Sequence, residues 1–208
     1  MNLNYEDMFR YVKEILIKNE GIKSLKPQLG FRNRFEHTRR VFGWAKRILP
    51  GVENCNEAVV LTACIFHDCG YQKNQEKDHA LLSEHYFRQY ALSHQLDQQL
   101  TEQVSNLILV HSDKKRMYLE DSPIELVLLL EADLLDEEGA LGLVFDLLAE
   151  GYQCPDSYAI VFNEIMIHSA HILDQDYMVT PLAKKAWHEK KILIEQFIKQ
   201  LKSDLFME

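Results

Sequence analysis

The sequence predicts an all-α protein of about eight or nine helices forming one domain over residues 1–208. Apolar residues recur at the 3.6-residue helical period in nearly every long segment. No segment sustains the alternation of a half-buried strand. The breaks between periodic segments carry glycine, proline or polar runs, as helix ends should.

The amphipathic opening MNLNYEDMFRYVKEILIKNE predicts a first helix over about 5–19. After Gly30, a second runs over 35–49 and stops at Pro50-Gly51. An apolar run over 56–67 predicts a buried third helix. Gly70 and the polar QKNQEKD then lead to a fourth over 79–92 and a fifth over 97–111. Ser122-Pro123 reads as an N-cap followed by proline at the first helical position. Glu125 stands third, as in a capping box, opening a sixth helix over 122–136. Periodicity gives a seventh over 139–150, then Gly151 and Pro155, an eighth over 156–171 and a ninth over 181–204. No long linker, internal repeat or low-complexity tract divides the chain, so one domain is the economical reading.

With 208 residues, 47% of them hydrophobic, the chain can bury a sizeable core. Its net charge of -9 argues against a nucleic-acid polymer or an anionic membrane as partner, while leaving room for a local basic pocket. Four cysteines, Cys55, Cys64, Cys69 and Cys154, form no CxxC pair and read as reduced thiols. The N-terminal segment carries acids, unlike a signal peptide, and no apolar run approaches the roughly 20 residues that cross a bilayer. A cytoplasmic protein is expected.

The third helix raises a functional question, because VVLTACIFHDCGY ends an apolar run on His67 and Asp68. Cys64, Ala63 and Val60 precede His67 at three, four and seven residues, so the imidazole lies on the buried stripe. His111 stands over Ile108, Leu107 and Val104 in the same way, and Asp133 over Leu130, Leu129 and Leu126. His37 is followed by Val41, Trp44 and Ile48; His79, by Leu82 and Phe87, has a weaker stripe. Any one inward histidine reads as a hydrogen-bonded core residue. Several together would cost several kcal/mol if left unpaired, and a shared divalent cation satisfies them at once. Consecutive helical residues diverge by about 100°, so His67 and Asp68 converge on one ion only at a helix end, which Gly70 permits.

These residues carry a resemblance. His37, the His67-Asp68 pair and Asp133 are similar to the H…HD…D signature of the HD-domain superfamily of metal-dependent phosphohydrolases. HTRRV from His37 resembles its first motif and ACIFHDCGY its second. LEADLLDEEGALGL resembles the DAD-x-LD-x-x-GA-x-G block of small stand-alone bacterial HD hydrolases, with Glu131 where an aspartate is usual, and TPLAKKAW resembles the start of their terminal helix. The resemblance implies a single HD-domain bundle, with core motifs at about 30–140 and C-terminal helices at about 156–204 packed on it. His37, His67, Asp68 and Asp133 are the implied metal ligands. His79 and His111 stand where relatives holding two metals have further histidines. Those relatives often carry a His-His pair, and here Ser112 follows His111, so one ion is the expectation and two the alternative.

A mixed His/Asp shell suits Mn, Fe, Ni, Co or Zn better than Mg, which prefers oxygen ligands. Asp68 would orient the attacking water, and His111 or His79 would protonate the leaving oxygen. Arg40, one turn after His37, is the chosen phosphate clamp, with Lys73 and Lys115 as further substrate contacts. The expected partner is a small phosphorylated metabolite, a nucleotide by the resemblance, with a nucleoside triphosphate cleaved to release pyrophosphate as one form. The alternatives are a phosphomonoesterase or cyclic-nucleotide phosphodiesterase on the same site, or a non-catalytic HD domain that binds a nucleotide or metal. His168 and His171, at i and i+3, lack an evident third ligand and read as a solvated or interface face.

Overall fold

Asparagine and aspartate side chains set where most of the N-terminal helices begin. In the computed structural model, which describes residues 3–22, 33–72, 77–153 and 157–207, the Asn4 carboxamide accepts from Asp7 N at 3.1 Å and opens α1, Tyr5–Lys18. Asn33 accepts from Phe35 N and Glu36 N to open α2, Arg34–Ile48. Asn56 opens α3, Glu57–Phe66. The α4 helix, His79–Ser93, follows Asp78, and Asp97 caps α5, Gln98–Val110. Each capping bond satisfies a backbone N–H that the first turn leaves without a helical partner.

The remaining helices are α6, Ile124–Glu137, α7, Ala140–Gln153, α8, Tyr158–His168, and α9, Pro181–Phe206. Among the described residues the fold is all-α, as the periodicity predicts. Gly30, Lys73, Cys154 and Pro155 lie outside the described residues. Two 3-10 turns, Lys114–Tyr118 and Ala170–Asp174, were not predicted. The first starts where the Asp113 side chain accepts from Lys115 N, a local turn that competes with helix. The second takes over where the eighth helix stops at His168, three residues before its predicted end. The expected capping box is absent as well. Ser122 Oγ donates to Arg116 O at 2.6 Å, and Glu125 instead accepts from Asn56 N at 2.7 Å, tying the start of α6 to the start of α3.

The chain divides into two compact units, Met1–Asp133 and Leu134–Glu208. In the first, α3 packs against α1, α2, α4 and α5, and every residue from Val59 to Phe66 is buried. A helix apolar all round belongs at the centre of a bundle. Phe66 anchors it, with the rings of Phe87 and Tyr90 at 5.0 and 5.2 Å. Gly70 follows because backbones nearly touch there: a Cβ would lie 2.2 Å from His79 O and 2.3 Å from Ser83 N. Gly70 N donates to Ser83 Oγ at 2.8 Å, which seats the end of α3 against the first turn of α4.

In the second unit α7, α8 and α9 pack on one another. Ile165, Ile172, Ala183 and Ile194 are buried, and Trp187 Nε1 donates to Gln175 O at 2.8 Å. Gly139 takes a left-handed φ of 80° to turn the chain from α6 into α7, a conformation costly for other residues. Among the described residues no helix is long and apolar enough to cross a membrane. Cys55, Cys64 and Cys69 are free thiols, and burial pushes each thiol pKa up, Cys55 to about 11.

Candidate metal centre

Helix ends aim the polar residues into the core of the first unit. His37 is in the first turn of α2, His67 caps the C-terminus of α3 with Asp68 next, His79 opens α4, His111 caps α5, and Asp133 lies on α6. His37, His67, Asp68, His111 and Asp133 are all buried. Leu126, Leu129 and Leu130 below Asp133, and Val104, Leu107 and Ile108 below His111, are buried as the stripes require.

The donors fall into two groups. His37, His67 and Asp133 form one, and Asp68, His79 and His111 the other, each with ligand atoms within 4.8 Å of one another. In the first, His37 Nε2 lies 3.2 Å from Asp133 Oδ1 and 3.4 Å from His67 Nε2. In the second, His111 Nε2 lies 3.2 Å from both Asp68 Oδ1 and His79 Nε2. Two donors each about 2.1 Å from one ion lie about 3.0 Å apart at a right angle and about 3.4 Å apart at the tetrahedral angle. Both groups have the spacing of ligands around a cation. Asp68 joins them. Its Oδ2 is 3.5 Å from His37 Nε2 and 3.6 Å from His67 Nε2, and its Oδ1 faces His111 and, at 3.7 Å, His79.

Backbone carbonyls fix which ring nitrogens are available. His67 Nδ1 donates to Cys64 O at 2.8 Å, and His111 Nδ1 donates to Ile108 O at 2.6 Å. Each commits one N–H to the carbonyl three residues earlier and turns Nε2 toward carboxylate oxygens. Burial lowers the His67 pKa to about 4, against the opposing pull of Asp68 and Asp133, so its Nε2 is a bare lone pair at neutral pH. A lone pair facing carboxylate oxygen in a dry interior needs a cation between them, and an imidazole oriented by a carbonyl is the usual support of a metal-bound histidine. Burial alone would raise both carboxyl groups. His67, Arg34 and a His111 hydrogen bond outweigh it at Asp68. Lys114, a His37 hydrogen bond and His67 do so at Asp133, and both stay well below the ordinary carboxylate range.

Among the described residues, two cationic side chains pair with these carboxylates. Arg34 Nη1 donates to Asp68 Oδ2 at 2.8 Å, and Lys114 Nζ pairs with Asp133 Oδ2. Arg40 and Lys115, the expected phosphate contacts, are both exposed. Arg34 and Arg40 are equally spaced from His37 along α2, and it is Arg34, the first residue of that helix, that reaches Asp68. Ser112, in place of a second histidine, has its Oγ 3.2 Å from His79 Nε2. His168 and His171 pair separately, with Glu164 and Glu138 at 3.3 Å each, and make no third donor group among the described residues.

The sequence matches the HD domain family over residues 34–138, half of the chain, a stretch that holds every donor above. No curated protein matches. Among solved structures the fold is similar to an HD-superfamily hydrolase from Bacillus thuringiensis, at 20% identity and TM-score 0.70, covering 96% of this chain and 95% of that one. It is also similar to the Bacillus subtilis protein YpgQ in complex with ADP, at 20% identity and TM-score 0.61, covering 94% and 98%. A Listeria innocua protein aligns at 17% identity and TM-score 0.64, covering 98% of each chain. With the family's motifs on the matched stretch and its donors gathered at one place in the fold, the chain belongs to the HD domain family, the superfamily of metal-dependent phosphohydrolases.

Proposed function

We propose that this protein hydrolyses a nucleotide with divalent metal, and that its leading substrate is a nucleoside triphosphate cleaved to release pyrophosphate. The observation that carries the reading is the sharing of Asp68 between two donor groups of equal spacing. It moves the expectation from one ion to two. His37, His67 and Asp133 would hold the first with Asp68, and His79 and His111 would hold the second with the same carboxylate. Divalent ions bound there would acidify water and neutralise charge on phosphorus. His-rich shells favour Mn, Fe, Co, Ni or Zn over Mg. Arg34 and Lys114 border the same carboxylates, and a guanidinium suits phosphate oxygens. That local charge offsets the repulsion between a chain of net charge -9 and a polyphosphate. The ADP in the B. subtilis neighbour supports a nucleotide.

Metal counting with a substrate panel tests this. Protein loaded with Mn²⁺ should carry close to two ions per chain, falling to about one in His79→Ala and His111→Ala. A wild-type count of one returns the second group to the role of proton donor. Among nucleoside triphosphates, monophosphates, cyclic nucleotides and simple phosphate esters, triphosphates should turn over with pyrophosphate as product. Orthophosphate from monophosphates would make it a phosphomonoesterase, and ring opening a cyclic phosphodiesterase. A fully loaded protein that turns over nothing would be a binding domain. Arg34→Ala should raise KM with the metal count intact, the mark of a lost substrate contact.

A further inference from the structure

Tyr71 lies three residues beyond Asp68, in the turn closed by Tyr71 N donating to Asp68 O at 3.3 Å. Its ring carries the Arg34 guanidinium 3.8 Å from its centroid. The His79 imidazole stacks on it with centroids 4.3 Å apart and planes 21° from parallel. Two planar groups this close to one centroid cannot share a face without overlapping, so arginine and histidine lie on opposite faces. They also address opposite oxygens of one carboxylate: Arg34 reaches Asp68 Oδ2 at 2.8 Å, and His79 Nε2 lies 3.7 Å from Oδ1.

We propose that Tyr71 is a positioning residue that holds Arg34 and His79 on either side of Asp68 and so sets the site's affinity for the phosphate end of its substrate. The backbone beneath the ring is fixed from two sides. A Cβ on Gly21 would lie 1.8 Å from Tyr71 O, and one on Gly70 would lie 2.2 Å from His79 O. The main chain that carries the ring is thus closely packed, and the ring lies between the two side chains. A π face attracts the guanidinium and keeps it beside Asp68, where a phosphate bound at the site would meet its charge. The opposite face limits the swing of the His79 ring. The phenol hydroxyl has no part in this, and only the ring face is required.

The proposal rests on the reading of Arg34 as a phosphate contact, and the experiment separates the two. Wild type, Tyr71→Phe and Tyr71→Leu are compared in two measurements. In metal-free protein, the His79 ring-proton signals, assigned by their loss in His79→Gln, should lie upfield in wild type and Tyr71→Phe. In Tyr71→Leu that displacement should vanish. In Mn²⁺-loaded protein, calorimetric titration with inorganic pyrophosphate should show about tenfold weaker binding for Tyr71→Leu and wild-type binding for Tyr71→Phe. His37, His67 and Asp133 are not held by the ring, so at least one Mn²⁺ should remain in each variant. Unshifted His79 protons in wild type would overturn the sandwich, whatever the variants do. Equal pyrophosphate affinity in Tyr71→Leu, or weakened affinity in Tyr71→Phe, would overturn the positioning role, the latter even if Tyr71→Leu did not fold. Wild type that ignores pyrophosphate while its His79 protons are shifted would refute the phosphate reading and leave Tyr71 no phosphate to position.

Discussion

At the scale of single residues, His67 joins burial to chemistry. Its pKa of about 4, against an ordinary 6.5, means that the unfolded chain binds a proton more readily than the folded one. In chelator-treated protein this group therefore imposes no penalty above pH 6.5, and stability falls as pH drops from about 6.5 toward 4. Asp68 and Asp133 act in a separate window. Their depressed values stabilise the fold above the ordinary 3.8, and that contribution is lost as pH falls below it. Thermal unfolding of metal-free protein should show the first loss, and His67→Gln should flatten it. An unchanged slope in the variant would place the acid sensitivity elsewhere. The gathering of these donors was legible at this scale, because an imidazole or carboxylate over an apolar stripe is a visible anomaly. The surrounding cations were less so. Arg34 is set apart from Arg40 by a partner 34 positions away, and Lys114 from Lys115 by a 3-10 turn, neither of which periodicity reports.

At the scale of elements, α3 and α5 each bury a hydroxyl that has no hydrogen-bond partner among the described residues, Thr62 Oγ1 and Ser105 Oγ. An unpaired polar atom in a dry interior costs about 1–3 kcal/mol, so removing it without changing shape should not destabilise. Thr62→Val and Ser105→Ala are expected to be neutral or to raise stability by about 1 kcal/mol each, read from the urea midpoint. A loss of more than about 1 kcal/mol in either would reveal a hydrogen bond formed in solution. Helix positions were readable because α2, α5 and α6 keep a clean apolar stripe and α3 an unbroken apolar run. The ends were less so where a side chain finds a distant partner. Glu125 leaves its local capping role for Asn56, 69 positions away, and only the packing of α6 near the start of α3 offers that bond. Gly70 is a related case: its position was read as a helix stop, yet the structural demand is close approach to α4.

At the scale of the whole molecule, the donors lie far apart in the chain, from His37 to Asp133, and all fall within the first compact unit. Binding metal therefore ties together α2, the end of α3, α4, α5 and α6, segments that nothing holds near one another when unfolded. An ion that binds only the folded state stabilises it by RT ln(1 + [L]/Kd), about 2.7 kcal/mol at a hundredfold excess over Kd. Thermal unfolding should move to higher temperature with added Mn²⁺ and return to its starting point with excess chelator. Mg²⁺ at the same concentration should do much less, since its preference for oxygen leaves the imidazoles poor ligands. Two ions give a steeper dependence on Mn²⁺ than one, because each contributes its own logarithm. His111→Ala should reduce that slope toward the single-ion value while keeping part of the shift. His67→Ala should lose the contribution of the first group and leave that of Asp68, His79 and His111. If Mg²⁺ stabilised as well as Mn²⁺, carboxylates alone would be holding the ion, and the buried histidines would need another explanation.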